Sequence, residues 1–408
     1  MHWAYKANLA VIICAGAAAV LWLRPADAVE PVRSVDKGFV MKSTDFGFRL
    51  FHEVLASEPG KNVFISPASV MMALSMTYNG ADGDTKAAMA RALSLNGLSL
   101  EQVNKANLAL LRALTAPDEG VKLKIANSLW ARKGFRFAPE FIKRDEQYYR
   151  ARVTALAFGP GAVKTINSWV KDNTDGMIPK IVEQLKPMDV LVLINAVCFK
   201  GTWAAKFDKA LTEPAPFTLA TGGKITLPMM RRHGKYAYFG SSDFQAISLP
   251  YGGGRMSMYI FLPKQPSGLG DFCKKLTPQT WDAWLAKLHE ADLDLVLPRF
   301  KVEYEVEDKL KAALTQMGMG VAFGMGADFR SMVASHQPDL YISRIAHKAF
   351  MEVDEEGTKA AAATSVTMTL KAMPGRPLEM IVDHPFFCAI RDNKTGAMLF
   401  MGAIEKPG

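Results

Sequence analysis

The chain has 408 residues, 49% of them hydrophobic and 10% aromatic, which is enough to bury a large core and excludes a disordered protein. Its formal net charge is +9, but bases and acids are interleaved, as in Lys143-Arg144-Asp145-Glu146, so a concentrated face for nucleic acid is not expected. The four cysteines, Cys14, Cys198, Cys273 and Cys388, have the spacing of neither a zinc site nor a redox pair, and Cys198 and Cys388 sit in apolar runs as buried thiols would.

In chain order, His2 and Lys6 precede the apolar run Leu9 to Leu23, and Ala26-Asp27-Ala28 offers small residues to a signal peptidase. Residues 1–28 are therefore expected to be a cleaved export signal, and the protein to be secreted or periplasmic. A membrane anchor is the alternative, but Arg24 ends the run short of the ~20 apolar residues of a spanning helix, so no stable membrane association is expected after cleavage. Cys14 follows Ile12 and Ile13, where lipid attachment favours small residues. Residues 29–43 are expected to be an N-terminal extension, and 44–408 a single domain.

Ser43-Thr44-Asp45 leads into a helix from Phe46 to Leu55, Ser66-Pro67 opens another through Tyr78, and Asp82-Gly83-Asp84 starts a third that ends near Leu95-Asn96-Gly97. Residues 121–132 alternate and then turn apolar, as in a long strand, and a helix follows over Phe141 to Tyr149. Past Gly159-Pro160-Gly161, Ile166, Trp169 and Val170 share one helical face, and Val190 to Phe199 is a continuous apolar stretch suited to a strand buried on both sides. Strands are expected through 225–262 and 288–304, a short helix near Asp308 to Met317, and a strand over Leu340 to Val353. Helices lead and strands follow without repeat or linker, which predicts an α+β unit with mixed sheets.

The segment after this last strand has unusual alternation. Thr358, Ala360, Ala362, Thr364, Val366, Met368 and Leu370 are uncharged and small or apolar, while Lys359, Ser365, Thr367, Thr369 and Lys371 occupy odd positions. If such a segment joins a sheet, one face is buried and the other stays wet. No proline interrupts it before Pro374, and Gly357 supplies backbone freedom at its start. By alternation alone it is equally an ordinary surface strand or an Ala/Thr linker.

Five motifs resemble the serpin family in order and spacing: Asn62-Val-Phe-Ile-Ser-Pro-Ala-Ser69, Asn195-Ala-Val-Cys-Phe-Lys-Gly-Thr-Trp203, Ala346-His-Lys-Ala349, Glu355-Glu-Gly-Thr-Lys-Ala-Ala-Ala-Ala363 and Asp383-His-Pro-Phe386. The resemblance implies three β-sheets, eight or nine helices and an exposed reactive-centre loop over about 357–377. It makes Glu355, Glu356, Gly357, Thr358, Lys359, Ala360, Ala361, Ala362 and Ala363 the hinge. The scissile bond is placed between Lys371 and Ala372, fourteen residues past the hinge glycine. Lysine there implies a trypsin-like serine protease as covalent partner, because such proteases carry an acidic group in the pocket.

By the same resemblance Ser66, Ser69, Asn195 and His347 form a polar shutter under the opening sheet, Gly201, Trp203 and Arg299 belong to the breach, and Arg299 pairs with Glu355. The implied mechanism is suicide inhibition: the protease is acylated at Lys371, and the cut loop enters the large sheet as a strand. A strand of fourteen residues spans ~45 Å. The protein is expected to be a monomer capable of loop-sheet polymers, with no metal or cofactor.

Two departures stand out. Lys359 replaces an acidic residue common beside the hinge threonine, and residues 100–115 carry only Lys105 and Arg112 as bases, little support for glycosaminoglycan activation. A non-inhibitory serpin, acting as chaperone or carrier, is the alternative function. Its hinge would be expected to carry proline or bulky residues, whereas Ala360 to Ala363 are all small. Nothing resembles a nucleophile elbow, a zinc helix or a phosphate loop, so the protein is not expected to be an enzyme.

Overall fold

The computed structural model describes residues 35–116, 118–336, 340–358 and 378–408. The helix expected from Phe46 begins earlier, as α1 (Lys37–Ala56), because the Asp36 carboxylate accepts the Phe39 N–H at 3.1 Å. Residues 37–43, expected within an extension, are thus the opening turns of this helix, with Phe39, Val40 and Ser43 buried. After β1 (Val63–Ile65) comes α2 (Pro67–Tyr78), whose first-turn proline costs no intrahelical bond. All of α2 is buried, so it runs through the core as a spine. α3 (Gly83–Ala92) ends short of the expected Leu95, and α4 (Leu100–Leu114) starts from a reciprocal capping box between Ser99 and Gln102.

The alternating stretch at 121 is β2 (Val121–Arg132), followed by α5 (Pro139–Tyr149), β3 (Arg152–Leu156), α6 (Pro160–Asn173) and β4 (Leu191–Thr202). Next are β5 (Glu213–Thr218), β6 (Lys224–Gly240), β7 (Phe244–Tyr251) and β8 (Met256–Pro263), then α7 (Leu269–Lys274) and α8 (Pro278–Leu285). β9 (His289–Pro298), β10 (Phe300–Val306), α9 (Asp308–Leu314) and β11 (Arg344–Val353) lead to the short β12 (Gly357–Thr358). The chain closes with β13 (Leu378–Ile381), β14 (Phe386–Asp392) and β15 (Met398–Ile404).

Among the described residues these strands make a six-stranded sheet, β10-β11-β4-β2-β3 with β12 beside β4, and a nine-stranded one, β1-β15-β14-β8-β7-β6-β9-β13 with β5 beside β6. Three sheets were expected. Two of them are joined by hydrogen bonds because β6, 17 residues long, pairs with β5 over 224–229, with β9 over 229–238 and with β7 over 237–240. The six-stranded sheet is mixed: β11 runs parallel to β4, while β2 and β10 pair antiparallel.

β4 separates two cores. Leu191, Leu193, Val197 and Phe199 belong to the main one, whereas Val192, Ile194, Ala196 and Cys198 face a second, covered by Ile166 and Val170 of α6. Cys198, Cys273 and Cys388 are free and buried, as expected for Cys198 and Cys388, and burial pushes the thiols of those two up to about 12. No helix among the described residues is long and apolar enough to cross a membrane.

Candidate functional site at the head of the six-stranded sheet

The seam between β4 and β11 is a parallel ladder from Val192–Arg344 to Cys198–Phe350. Above it the two strands part company. The chain turns back after Val353, and β12 takes up the edge of β4 in antiparallel register, Gly357 opposite Thr202 and Thr358 opposite Gly201. Asp354 closes the turn: its N–H donates to Gly357 O at 2.8 Å, and its Oδ1 accepts the Glu356 and Gly357 N–H groups at 3.0 and 3.1 Å. Burial raises the Asp354 carboxyl above its ordinary value. Gly357 has φ 137°, and a Cβ there would lie 2.1 Å from Gly201 O, so no other residue fits this contact.

The segment after β4 clamps this turn. Trp203 stacks on Tyr251 with centroids 4.4 Å apart, donates its Nε1–H to Asp354 O at 2.9 Å and its backbone N–H to Glu356 O at 2.9 Å. The Phe207 N–H holds Glu355 O at 2.9 Å. Gly201 is small by necessity, since a Cβ would come within 2.7 Å of the Tyr251 ring and 2.8 Å of the Phe199 ring.

Each glutamate has its own cations. Glu355, 2% exposed, pairs with Arg299 and accepts the Thr212 hydroxyl at 2.7 Å; burial pushes its carboxyl up, but these hydrogen bonds outweigh that and hold it below its ordinary value. Glu356 lies 2.6 Å from Lys206 and 3.3 Å from Lys209, and its carboxyl is lowered chiefly by the Lys206 hydrogen bond. The Arg299–Glu355 pair was expected. The Lys206–Lys209 pair and Thr212 were not, because two lysines in an aperiodic connection carry no signal of what they face.

Lower on the seam, the four residues expected to form a shutter, Ser66, Ser69, Asn195 and His347, meet. His347 Nε2 accepts the Ser66 N–H at 3.1 Å, so its ring proton is on Nδ1 and is donated to Asn195 Oδ1 at 2.6 Å. Asn195 Nδ2 donates to Ser69 Oγ at 2.6 Å and to Asn127 Oδ1 at 2.6 Å. Ser66 contributes its backbone rather than its hydroxyl. Asn127 is a further member, opposite Asn195 in the β2–β4 ladder, and its one sequence signal is an amide interrupting an apolar strand. His347 is fully buried, which drops its pKa to about 3 and keeps the ring neutral.

Lys359, Ala360, Ala361, Ala362, Ala363, Lys371 and Ala372 lie outside the described residues. The face of β4 on which odd loop positions were expected to stay wet is dry for most of its length, because Val192, Ile194, Ala196 and Cys198 are buried in one cluster with Ile166 and Val170 of α6 and with Ile178, Ile181 and Val182 of the segment after it; Lys200, at the top, is half-buried.

Comparison with known proteins agrees with this geometry. The family model "Serpin (serine protease inhibitor)" matches residues 41–407. The leukocyte elastase inhibitor of Homo sapiens is 36% identical over 383 residues, covering 90% of this chain and 98% of that protein. Serpin B6 of Pongo abelii is 35% identical over 366 residues, covering 87% and 96%. The native state of tengpin, a thermophilic serpin, superposes with a TM-score of 0.84 at 34% identity, covering 92% of this chain and 95% of that one.

The comparison also corrects one expectation. Secretion or release to a periplasm does not stand: leukocyte elastase inhibitor and serpin B6, among the most similar relatives, are intracellular and lack signal peptides. With the family match running over nearly the whole chain and relatives about a third identical over nine-tenths of it, this protein belongs to the serpin family of serine protease inhibitors.

Proposed function

We propose that this protein is a suicide-substrate inhibitor of a trypsin-like serine protease, with Lys371–Ala372 as its bait bond. The protease serine attacks the Lys371 carbonyl, an ester forms, and the new amino terminus at Ala372 leaves with the C-terminal fragment. The freed loop then enters the seam between β4 and β11, drawing the acylated protease with it before water reaches the ester.

The observation that carries this reading is the register of β12. Directly paired residues in a ladder point to the same face. Continuing Thr358–Gly201 down β4 sets Ala360 against Phe199, Ala362 against Val197, Thr364 against Asn195 and Val366 against Leu193. The even residues are then directed at the main core, and Thr364 arrives at the shutter. Insertion exchanges one parallel ladder for two antiparallel ones, a net gain of order ~1 kcal/mol for each added hydrogen bond.

The test is to mix the full-length protein with trypsin and follow denaturing electrophoresis and the intact mass of the released peptide. A denaturant-stable complex and a fragment beginning at Ala372 are expected. Cleavage there without a complex would instead make the chain a substrate.

A further inference from the structure

A cavity of about 200 Å³ lies behind the hinge clamp. Trp203, Phe207, Leu249 and Pro250 form its apolar wall, and among its described lining residues Arg232 and Lys235 are charged and none is a carboxylate. Lys235 is bonded to Glu290 at 2.8 Å across the β6–β9 ladder. Arg232 is differently placed. Its Nη1 donates to Tyr236 Oη at 3.1 Å with the guanidinium over that ring, and no described carboxylate forms an ion pair with it. A guanidinium has five N–H donors, so Arg232 brings unspent donors and a positive charge to a space whose wall is partly aromatic and which Lys235, Tyr236 and Ser248 also line.

We propose that this cavity binds a small aromatic carboxylate, its ring against Trp203, Phe207 and Leu249 and its carboxylate on Arg232. The occupant is selected by complementarity. A planar fork of donors matches a carboxylate, aromatic edges match a ring, and the volume is below that of drug-sized pockets and so admits one or two rings. Two walls are the clamp itself: Trp203 and Phe207 hold the Glu356 and Glu355 carbonyls through their backbone N–H groups. A ligand that binds the clamp in this arrangement stabilises it over any arrangement in which the hinge has moved. Occupancy therefore slows loop insertion, a consequence that rests on the inhibitory reading above, whereas the binding does not.

The probes are 2-naphthoate and its neutral analogue naphthalene-2-carboxamide, titrated into the full-length protein by calorimetry. Naphthoate is expected to bind about tenfold more tightly than the amide, as a charge-assisted hydrogen bond requires. Arg232→Gln should bring the two together, and Arg232→Lys, which keeps the charge and guards against a folding defect, should keep only part of the preference. Equal binding of both probes to the wild type, no binding of either, or an undiminished preference in Arg232→Gln each overturns the site. Saturating naphthoate should also slow covalent complex formation with trypsin; binding with an unchanged rate overturns the regulatory half. If no complex forms even without the probe, the inhibitory reading fails while the binding result stands.

Discussion

His347 shows how one side chain can tie stability to pH. It is neutral in the fold because burial depresses its pKa from 6.5 to about 3, and its two ring nitrogens join the Ser66 backbone to Asn195. Between those values the unfolded chain binds the proton that the native ring refuses, so stability falls as pH drops from about 6.5 towards 3. The slope approaches ~1.4 kcal/mol per pH unit for this one group. Glu355 and Glu356, whose carboxyls are lowered, add a loss of the same sign further into acid, as pH falls through their folded values. Denaturant melts from pH 7 to 4 should show the decline already between pH 6 and 5, and His347→Asn should remove that early part; an identical profile in the variant would rule out His347 as its source. The polar cluster of Ser66, Ser69, Asn195 and His347 was legible because these residues fall in motifs, whereas Lys206 and Lys209 became visible only once the fold brought them to Glu356.

At the scale of elements, the sequence pattern was most informative where one environment persists along a strand or helix. β2 spans the stretch 121–132 that alternates and then turns apolar, and α2 opens at the proline that marks it. The pattern failed where the decisive contact is distant. The start of α1 depends on a cap before its apolar face begins, and the dryness of the second face of β4 depends on α6 and the segment after it folding over that face.

The pairing of β12 with β4 makes the loop's proline-free alternation an element-scale prediction. In the extended register Ala362 faces Val197 within the seam, and proline there removes a ladder donor from a central strand. Ala362→Pro should leave the native melting temperature within a few degrees, yet shift the reaction with trypsin from trapped complex to cleaved product. Gel densitometry of the two products gives the partition. An unchanged partition would mean that this stretch of the loop does not enter the sheet.

The described residues form one compact unit, so the seam is held shut by the whole body rather than by a domain boundary. At its head the clamp uses ion pairs with very different exposure: Glu355 is buried while its partner Arg299 is 44% exposed. Arg299→Ala therefore strands a buried carboxylate with Thr212 as its remaining side-chain donor, a loss on the order of ~3 kcal/mol. The top of the seam should open more readily, and a strand-like loop from a second copy is the partner with the right pattern to fill it. Mild heating of the Arg299→Ala protein should give soluble polymers at a rate that rises with concentration, followed by size-exclusion chromatography with light scattering. Combining it with Ala362→Pro separates the causes. If the donated element is the loop, the double variant stays monomeric although its clamp is equally weakened; if it polymerises as fast, the contact between copies is made by some other surface and the loop is not the strand that the open sheet accepts.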